Sequence, residues 1–186
     1  KVTKNKLNSN RYCGIYLRSF SNSNMLVNNT HNSANGFGMF IEDSDNNRLL
    51  SNNISENKYG ISLLSSNGNI IYNNYLSNTQ NALDDGANIW SVEGREGKNI
   101  LGASFISGNY WSDYFGLDTD GDGLGDTSVP YNSSGYISTG GDYHPLVMGG
   151  NETPLQFSKG VPGFEALFAI TVSLALFYRF RKNKFV

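Results

Sequence analysis

A repeat of about 22 residues limits this chain to a small set of folds. Each copy is a short run of alternating apolar residues, preceded by an asparagine-rich segment that carries one or two aliphatic residues. Three copies match well and a fourth is weaker; they are Gly14-Ile15-Tyr16-Leu17, Gly38-Met39-Phe40-Ile41, Gly60-Ile61-Ser62-Leu63 and Ala82-Leu83-Asp84-Asp85. Because one copy cannot bury its own apolar side chains, successive copies must stack to share a core.

The alternation within each copy is typical of a β-strand, with Ile61 and Leu63 on one face. Strands from successive turns, about 4.8 Å apart as in any sheet, then pair in parallel. The sequence therefore predicts an all-β fold, a parallel β-helix (a solenoid) over residues 1–88. A leucine-rich repeat has a similar period, but it would need more leucine and a helical convex side.

Asparagine, serine and glycine are abundant, and charged residues make up only 16% of the chain. This composition could indicate disorder, but 13% of the residues are aromatic and the apolar residues are periodic, which disordered chains are not. Asparagine tolerates the left-handed backbone conformation of tight corners, and its amide can bond to the same amide one turn further on. We therefore interpret the asparagine-rich segments as corners of the solenoid.

Aligning the repeats predicts a specific register. One inward-facing stack should contain Ile15, Met39 and Ile61, and a second should contain Leu17, Ile41 and Leu63. On the outer face, the rings of Tyr16 and Phe40 should stack on each other. Arg18 and Glu42 occupy equivalent positions and should be exposed neighbours on adjacent turns.

The repeats resemble those of NosD-type parallel β-helix proteins, which are similar to the pectin-lyase-like group of carbohydrate-binding and sugar-hydrolase (CASH) domains. The string GNYWSDYFGLDTDGDGLGDTSVPY, followed by GGDYHPL, resembles the C-terminal part of archaeal NosD-like surface proteins. The resemblance implies a right-handed solenoid. Residues 89–147 break the repeat, and we interpret them as closing turns and a cap, because an open last turn would leave an unpaired strand edge.

The cap region contains the clearest metal-binding pattern of the chain. Its four aspartates are spaced D-x-D-x-D-G-x-x-D, namely Asp118, Asp120, Asp122 and Asp126. Alternate carboxylates on a tight loop converge, Gly123 permits the turn, and the Leu124 carbonyl could add an oxygen, a donor set that suits Ca²⁺. An EF-hand is disfavoured because Val129 stands where its bidentate glutamate would be. An acidic turn without a ligand remains the alternative, and Asp142 could complete the coordination.

The pattern of the C-terminal sequence predicts a linker over residues 148–161 and a membrane or sorting tail over residues 162–186. An apolar run of about 13 residues is followed at once by four basic residues, Arg179, Arg181, Lys182 and Lys184. We expect a hydrophobic helix with its basic end in the cytoplasm. Pro162, Gly163 and Phe164 begin a stretch that resembles the PGF-CTERM sorting signal of archaeal surface proteins, which implies an archaeosortase as the processing enzyme. A plain single-pass anchor is the alternative.

No catalytic or copper site is evident in the sequence. Asp84-Asp85 superficially resembles the aspartate pair of polygalacturonases, but the accompanying histidine and Arg-Lys motifs are missing, so we interpret Asp84-Asp85-Gly86 as a turn. The NosD resemblance also implies copper delivery, for which the histidines and methionines are too scattered: His31, His144, Met25, Met39 and Met148. Cys13 is interpreted as a small buried residue.

The sequence favours an extracellular, cell-surface-anchored protein without catalytic activity, structural or glycan-binding and stabilised by Ca²⁺. Envelope glycans or surface-layer components are the expected partners, and the net charge of −2 argues against nucleic acid. Because the chain opens at Lys1 inside the repeat, we expect it to derive from a longer precursor. A carbohydrate-active enzyme, a polysaccharide hydrolase or lyase with its catalytic turns upstream, is the second reading.

Overall fold

A computed structural model of the chain describes residues 1–32 and 36–148. These residues form fourteen short strands and one 3₁₀ turn, Ser133–Gly135. Numbered in chain order, the strands are β1 (Val2–Thr3), β2 (Cys13–Leu17), β3 (Met25–Val27), β4 (Thr30–Asn32), β5 (Phe37–Glu42), β6 (Arg48–Leu50), β7 (Asn53–Ser55), β8 (Tyr59–Leu64), β9 (Ile70–Tyr72), β10 (Tyr75–Ser77), β11 (Gln80–Asp84), β12 (Arg95–Glu96), β13 (Phe105–Ile106) and β14 (Tyr110–Trp111).

Three parallel sheets wind around one core and give a β-solenoid of about four turns. Sheet A is ordered β1-β3-β6-β9, sheet B is β4-β7-β10-β14 and sheet C is β2-β5-β8-β11. Strands β12 and β13 form a separate antiparallel pair. The predicted all-β parallel solenoid is confirmed.

The predicted register is confirmed residue by residue in sheet C. Ile15 pairs with Met39, which pairs with Ile61. The second stack places Leu17 next to Ile41, which lies next to Leu63. Met39, Ile41 and Ile61 are completely buried, as the alternation of a half-buried strand requires.

The outer face of sheet C also follows the repeat. The rings of Tyr16 and Phe40 stack with centroids 5.0 Å apart and planes 3° from parallel. Arg18 Nε lies 3.3 Å from Glu42 Oε2, and the Tyr16 hydroxyl donates to the same carboxylate. The predicted ring stack and the predicted contact between Arg18 and Glu42 are both confirmed.

The corners use asparagine in two distinct ways. At one corner Asn28 and Asn73 have φ near +55° (54° and 56°), and at another Asn46 has φ 58°. The residue that follows each of them is an asparagine buried in the interior of the corner, where its amide contacts the next turn. In these corners a residue with left-handed backbone conformation precedes the buried asparagine, and Gly68, with φ 65°, takes that place before Asn69.

Asparagine amides, most of them buried, are hydrogen-bonded to one another in three ladders, in most cases from one turn to the next. The first runs Asn5–Asn29–Asn52–Asn74–Asn109, the second Asn47–Asn69–Asn88 and the third Asn57–Asn78–Asn81. Asn24 precedes the second ladder and joins it through its backbone N–H, which donates to Asn47 Oδ1 at 2.8 Å. Each accepting amide oxygen also receives the backbone N–H of the asparagine one step before it, for example Asn29 N to Asn52 Oδ1 at 2.9 Å. Every ladder has one direction, because in each contact between two amides the earlier asparagine donates to the later one. The predicted bonding between equivalent amides is confirmed.

The cap covers the last strand of each sheet. In sheet C, Asp84 N donates to Tyr136 O at 2.9 Å, and Ser138 N donates to Asp84 O at 2.9 Å. Ile89 forms a bridge to Ile70 at the end of sheet A, and Leu146 forms one to Tyr110 at the end of sheet B. Strand edges that would otherwise be open are thus paired within the chain.

Within residues 1–32 and 36–148, no helix is long and apolar enough to cross a membrane. The predicted C-terminal hydrophobic helix and the sorting-signal residues Pro162, Gly163 and Phe164 lie outside the described residues.

Candidate functional site

Three of the four predicted calcium-binding carboxylates converge. Asp118, Asp120 and Asp126 each place a carboxylate oxygen so that all three lie within 4.8 Å of one another. All lie on the loop between β14 and the 3₁₀ turn, and Asp120 and Asp126 are exposed. Three like charges this close repel one another, and a divalent cation bound by oxygen ligands would relieve that repulsion.

Backbone donors hold the acidic loop in its tight shape. Asp118 accepts from Gly121 N at 2.7 Å and from Gly123 N at 2.9 Å. Gly123 has φ 89°, so the turn requires glycine there, as the sequence predicts. Asp126 Oδ2 accepts from the backbone N and the hydroxyl of Thr119 at 2.6 and 2.5 Å, and these bonds lower the pKa of Asp126. These donors favour the ionised form of Asp126.

Asp122 and Leu124 link the acidic loop to the cap. Asp122 Oδ1 accepts from Leu124 N at 2.8 Å, and partial burial raises the pKa of Asp122. The Leu124 side chain is buried, and its backbone forms an antiparallel bridge with Leu146. Asp122 is not among the three converging carboxylates, so a role for Asp122 and for the Leu124 carbonyl as ligands stays a prediction.

Asp142 ends the first asparagine ladder. Its side chain is completely buried. Oδ2 accepts from Asn109 N at 2.6 Å, from Asn109 Nδ2 at 3.3 Å and from Trp111 Nε1 at 2.8 Å, and Oδ1 accepts from His144 N at 3.0 Å. Burial raises the pKa of Asp142 to about 7, although these N–H donors act in the opposite direction. Its carboxylate is committed to the ladder and is not one of the group that converges on the acidic loop.

Asp84 ends the second ladder in the same manner. Oδ1 accepts from Asn88 Nδ2 at 2.8 Å and Gly86 N at 2.9 Å, and Oδ2 accepts from Trp90 Nε1 at 2.7 Å. Burial raises the pKa of Asp84. The bond to Gly86 N closes a turn, as the sequence predicts for Asp84-Asp85-Gly86. Both oxygens of Asp84 are occupied by donors, so the adjacent pair does not have the geometry of two available catalytic carboxyl groups.

The third ladder also ends on a carboxylate, since Asn81 Nδ2 donates to Asp113 Oδ1 at 2.6 Å. A carboxylate only accepts hydrogen bonds, so it satisfies a terminal amide that has no further amide to donate to. Asp84 and Asp142 each accept from an indole, that of Trp90 and that of Trp111 respectively. The ring centroids of the two indoles lie 5.4 Å apart, and both side chains are buried at the end of the core. The sequence analysis did not predict that these aspartates end the ladders. The sequence does indicate that the last amide of each ladder needs an acceptor, but it does not indicate which residue provides that acceptor.

The other polar candidates serve the core or the cap. Cys13 is half-buried, and its thiol donates to Ile15 O at 2.8 Å. Burial raises the pKa of the thiol to about 11, so little of the reactive thiolate forms at neutral pH. The backbone carbonyl of His144 accepts from Gly108 N, which makes His144 a cap residue.

His31 is completely buried, and neither ring nitrogen has a hydrogen-bond partner. In sheet B, His31 pairs with Ile54, and Ile54 pairs with Leu76. These three residues belong to the inward-facing stack of that sheet.

Acid is expected to destabilise the solenoid through His31. Burial lowers its pKa from 6.5 to about 4, so the folded protein resists a proton that the unfolded chain accepts. The contribution of neutral His31 to the free energy of unfolding is fully present above pH 6.5 and is lost as the pH falls towards 4. The shift in pKa corresponds to a loss of about 3 kcal/mol in the free energy of unfolding.

Relative to the wild type, His31→Leu should gain urea-unfolding free energy as the pH falls from 6.5 to about 4, because it removes this penalty. The raised pKa of buried Asp142 acts in the opposite direction in both proteins, so it cancels in the difference. A pH dependence of His31→Leu equal to that of the wild type would contradict this account.

Comparisons with known proteins point to one family. The profile described as "Periplasmic copper-binding protein (NosD)" matches residues 1–116. A "Probable ABC transporter binding protein NosD" of Pseudomonas aeruginosa is 32% identical over 137 residues, which are 72% of this chain and 28% of that protein. A protein of the same description from Stutzerimonas stutzeri is 33% identical over 103 residues, 53% of this chain and 21% of that protein. The chain thus spans about a quarter of the length of these relatives. No solved structure matches it significantly.

The described residues do not fit a copper site. Copper favours thiolate, thioether and imidazole ligands held together. Here Met39 is completely buried in sheet C, whereas Met25 and Met148 are 40% and 61% exposed. Among histidine, cysteine and acidic residues in the described ranges, the only group of three or more that could hold an ion consists of aspartates. These hard oxygen ligands favour calcium over copper.

Proposed function

This chain belongs to the NosD family, and we propose that its solenoid is a non-catalytic, calcium-stabilised binding module of an exported protein. The observation that carries the proposal is the convergence of Asp118, Asp120 and Asp126 on a loop that is joined to the cap. The printed names of the relatives describe binding proteins, and the family description is periplasmic, which supports export and a binding role.

The positions of the carboxyl groups support binding without catalysis. Sugar hydrolysis commonly needs two carboxyl groups that can reach the scissile bond, about 5–9.5 Å apart. Asp84 and Asp142 are buried and hold ladder ends, and Asp113 accepts from Asn81. Asp84, Asp113 and Asp142 are therefore used to complete the fold.

Calcium should act by clamping the cap. The loop is tied to the last strand of sheet B through the bridge between Leu124 and Leu146, and Leu146 also bridges Tyr110. A cation that binds the three carboxylates would stabilise the closure of the solenoid, because the converging arrangement exists only in the folded chain.

Millimolar Ca²⁺ is expected to raise the melting temperature of the chain. A site occupied at one hundred times its Kd stabilises the folded state by about 2.7 kcal/mol. Asp120→Asn, which alters an exposed carboxylate, should abolish most of the rise. The measurement is calorimetry with and without Ca²⁺, with EDTA as the reference state.

Asp45→Asn is the matched control, since Asp45 is an aspartate on the solenoid outside the acidic loop whose Oδ1 accepts from Asn67 N. It should retain the full calcium effect. No heat of binding and no change in melting temperature at millimolar Ca²⁺ would remove calcium from the proposal.

We further propose that the module is held at an archaeal cell surface through its C-terminal tail and meets envelope glycans or surface-layer components there. Pro162, Gly163 and Phe164 would mark the processing site of an archaeosortase. Mass spectrometry of the mature protein should show a C-terminus that lacks residues 179–186. An intact Val186 in the surface-exposed protein would leave a plain membrane anchor instead.

A further inference from the structure

The outer face of sheet A is apolar where a solvated face would be polar. Strands β3, β6 and β9 read Met-Leu-Val, Arg-Leu-Leu and Ile-Ile-Tyr, and Arg48 is their only charged residue. Strands with such continuous apolar sequence are typical of a sheet that is covered on both faces. The middle residues, Leu26, Leu49 and Ile71, are completely buried in the core, so the residues on either side of them face outward.

Two rows of side chains make up this outer face. Across successive turns they are Met25, Arg48, Ile70 and Ile89 in the first row, and Thr3, Val27, Leu50 and Tyr72 in the second. Met25 and Ile89 are 40% and 49% exposed, and of the other apolar residues in the rows only Tyr72 is buried. The part of the chain that the structure describes therefore leaves most of this face uncovered.

The charged groups of the outer face of sheet A are basic. Arg48 lies in the middle of the first row, and Lys1 and Lys4 flank β1. The four strands, and the residues directly before and after each of them, contain no aspartate or glutamate. Among the described residues, Arg48 forms no ion pair. Because the whole chain has a net charge of −2, this face is more basic than the rest of the protein.

Acidic residues near this face do not cancel its charge. Asp45 lies on the corner before β6, where its Oδ1 accepts from Asn67 N at 2.7 Å. Residues 93–98, which follow the last bridge of sheet A, carry two acidic and two basic side chains and add no net charge. The face therefore favours an anionic partner along the row that contains Arg48.

We propose that the outer face of sheet A lies on an anionic lipid bilayer, an inference that goes beyond the calcium-stabilised binding module and does not depend on it. Its apolar side chains would enter the boundary between headgroups and acyl chains, while Arg48 and Lys4 would bond to lipid phosphates. Two level rows of side chains make a flat surface, which a bilayer matches without a complementary shape. A second copy of this face fits less well, because it would bring two basic rows together.

A fluorescent label on sheet A tests this contact in the full chain. Cys13→Ser removes the native thiol, and Met25→Cys then carries an environment-sensitive nitrobenzoxadiazole label. Leu64→Cys is the matched control, because Leu64 is 42% exposed at the end of β8 in sheet C. The vesicles contain equal parts of phosphatidylglycerol and phosphatidylcholine, or phosphatidylcholine alone. We expect the emission at position 25 to rise and to shift to shorter wavelength only with phosphatidylglycerol, and the emission at position 64 to stay unchanged with both.

The position of the label separates this contact from the proposed C-terminal anchor. An inserted tail would bring the chain to both kinds of vesicle, because insertion of an apolar segment needs no anionic lipid. It would not make the label at position 25 respond to lipid charge while the label at position 64 does not.

Two substitutions examine the face itself, both at exposed side chains. Arg48→Gln should lower the ratio of lipid-bound to water-exposed label at position 25 about fivefold, the effect of one basic residue at an anionic surface. Lys58→Gln removes an exposed positive charge beside the Tyr59 ring of sheet C and should change the ratio less than about twofold. Ile89→Gln should lower the ratio at least about threefold. Circular dichroism spectra that match the wild type show that each variant is folded.

A label at position 25 that stays in water with both vesicles would overturn the lipid contact and leave the face to an acidic protein. Equal changes at positions 25 and 64, or an equal response to both lipids, would also overturn it. A shift at position 25 that grows with protein concentration in the absence of vesicles would show that a second copy covers the face instead. Loss of the calcium effect on the melting temperature with a retained lipid response would remove the metal and keep this contact.

Discussion

Asn52→Asp is expected to unfold the solenoid or to lower its unfolding free energy by about 3–5 kcal/mol. Asn52 is completely buried in the first ladder and donates from Nδ2 to Leu26 O and to Asn74 Oδ1, both at 2.9 Å. A carboxylate of the same shape loses both donors and directs a charged oxygen at two other oxygens. Because Asn52 is completely buried, this charge would be introduced away from solvent.

The neighbouring Asn53→Asp is the matched control. It makes the same chemical change one residue further on, where the side chain is exposed on the outer face of β7. Its unfolding free energy should change by about 0.5 kcal/mol or less. Urea titration of the two variants side by side measures the difference, and equal stabilities would show that the ladder amide contributes no more than an exposed one.

Asp142→Ala is expected to lower the unfolding free energy by about 3–5 kcal/mol, because it leaves several buried N–H groups without an acceptor. The donors left behind are Asn109 Nδ2 and N, Trp111 Nε1 and His144 N. Asp142→Asn should cost less, since one amide oxygen could still accept from the indole or from Asn109. The cap should loosen first, and Trp111 fluorescence should report it before the far-ultraviolet circular dichroism changes.

The same truncation at the third ladder end serves as the control. Asp113 is only partly buried, so water can replace its carboxylate, and Asp113→Ala should cost about 1 kcal/mol or less. If Asp142→Ala and Asp113→Ala had equal effects, burial of the ladder end would not be what makes the carboxylate important.

The register of sheet C could be predicted from the sequence because two physical signals agreed. The period of the repeat fixes which residues lie above one another, and the alternation fixes which of them face inward. Shifting the alignment by one residue would have moved Ile61 into solvent, so only one register buries the apolar set. The same logic predicted the stack of Tyr16 on Phe40 and the contact of Arg18 with Glu42.

The ladder ends could not be predicted, because the residues that close them come from outside the repeat. Asp142 lies 33 residues beyond Asn109, and its position depends on how the cap folds back over the last turn. Local sequence rules see the amides but not the acceptor that reaches them from the cap. His31 was missed for a related reason: its place in the inward stack depends on the register of sheet B, whose three-residue strands carry little periodic signal.

The direction of the ladders explains why the C-terminal end needs carboxylates. Each amide oxygen accepts from the asparagine before it in the ladder, and one N–H of each amide donates to the asparagine after it, while the other can donate to a backbone carbonyl of the earlier turn. At the last turn only donors remain, so the end of the solenoid needs acceptors and not further amides. Asp84, Asp113 and Asp142 supply them, and the calcium loop proposed above lies on the same cap.

Hydrogen exchange of the asparagine side-chain amides, followed by nuclear magnetic resonance, tests the central claim most directly. The account predicts that the Nδ2 protons of Asn52, Asn74 and Asn109 exchange on the timescale of global unfolding, and that Asp142→Ala accelerates exchange at Asn109 most. The side-chain amide of exposed Asn53 should exchange rapidly in both proteins. Equal, rapid exchange of ladder and exposed amides would contradict a solenoid that is held together by carboxylate-terminated asparagine ladders.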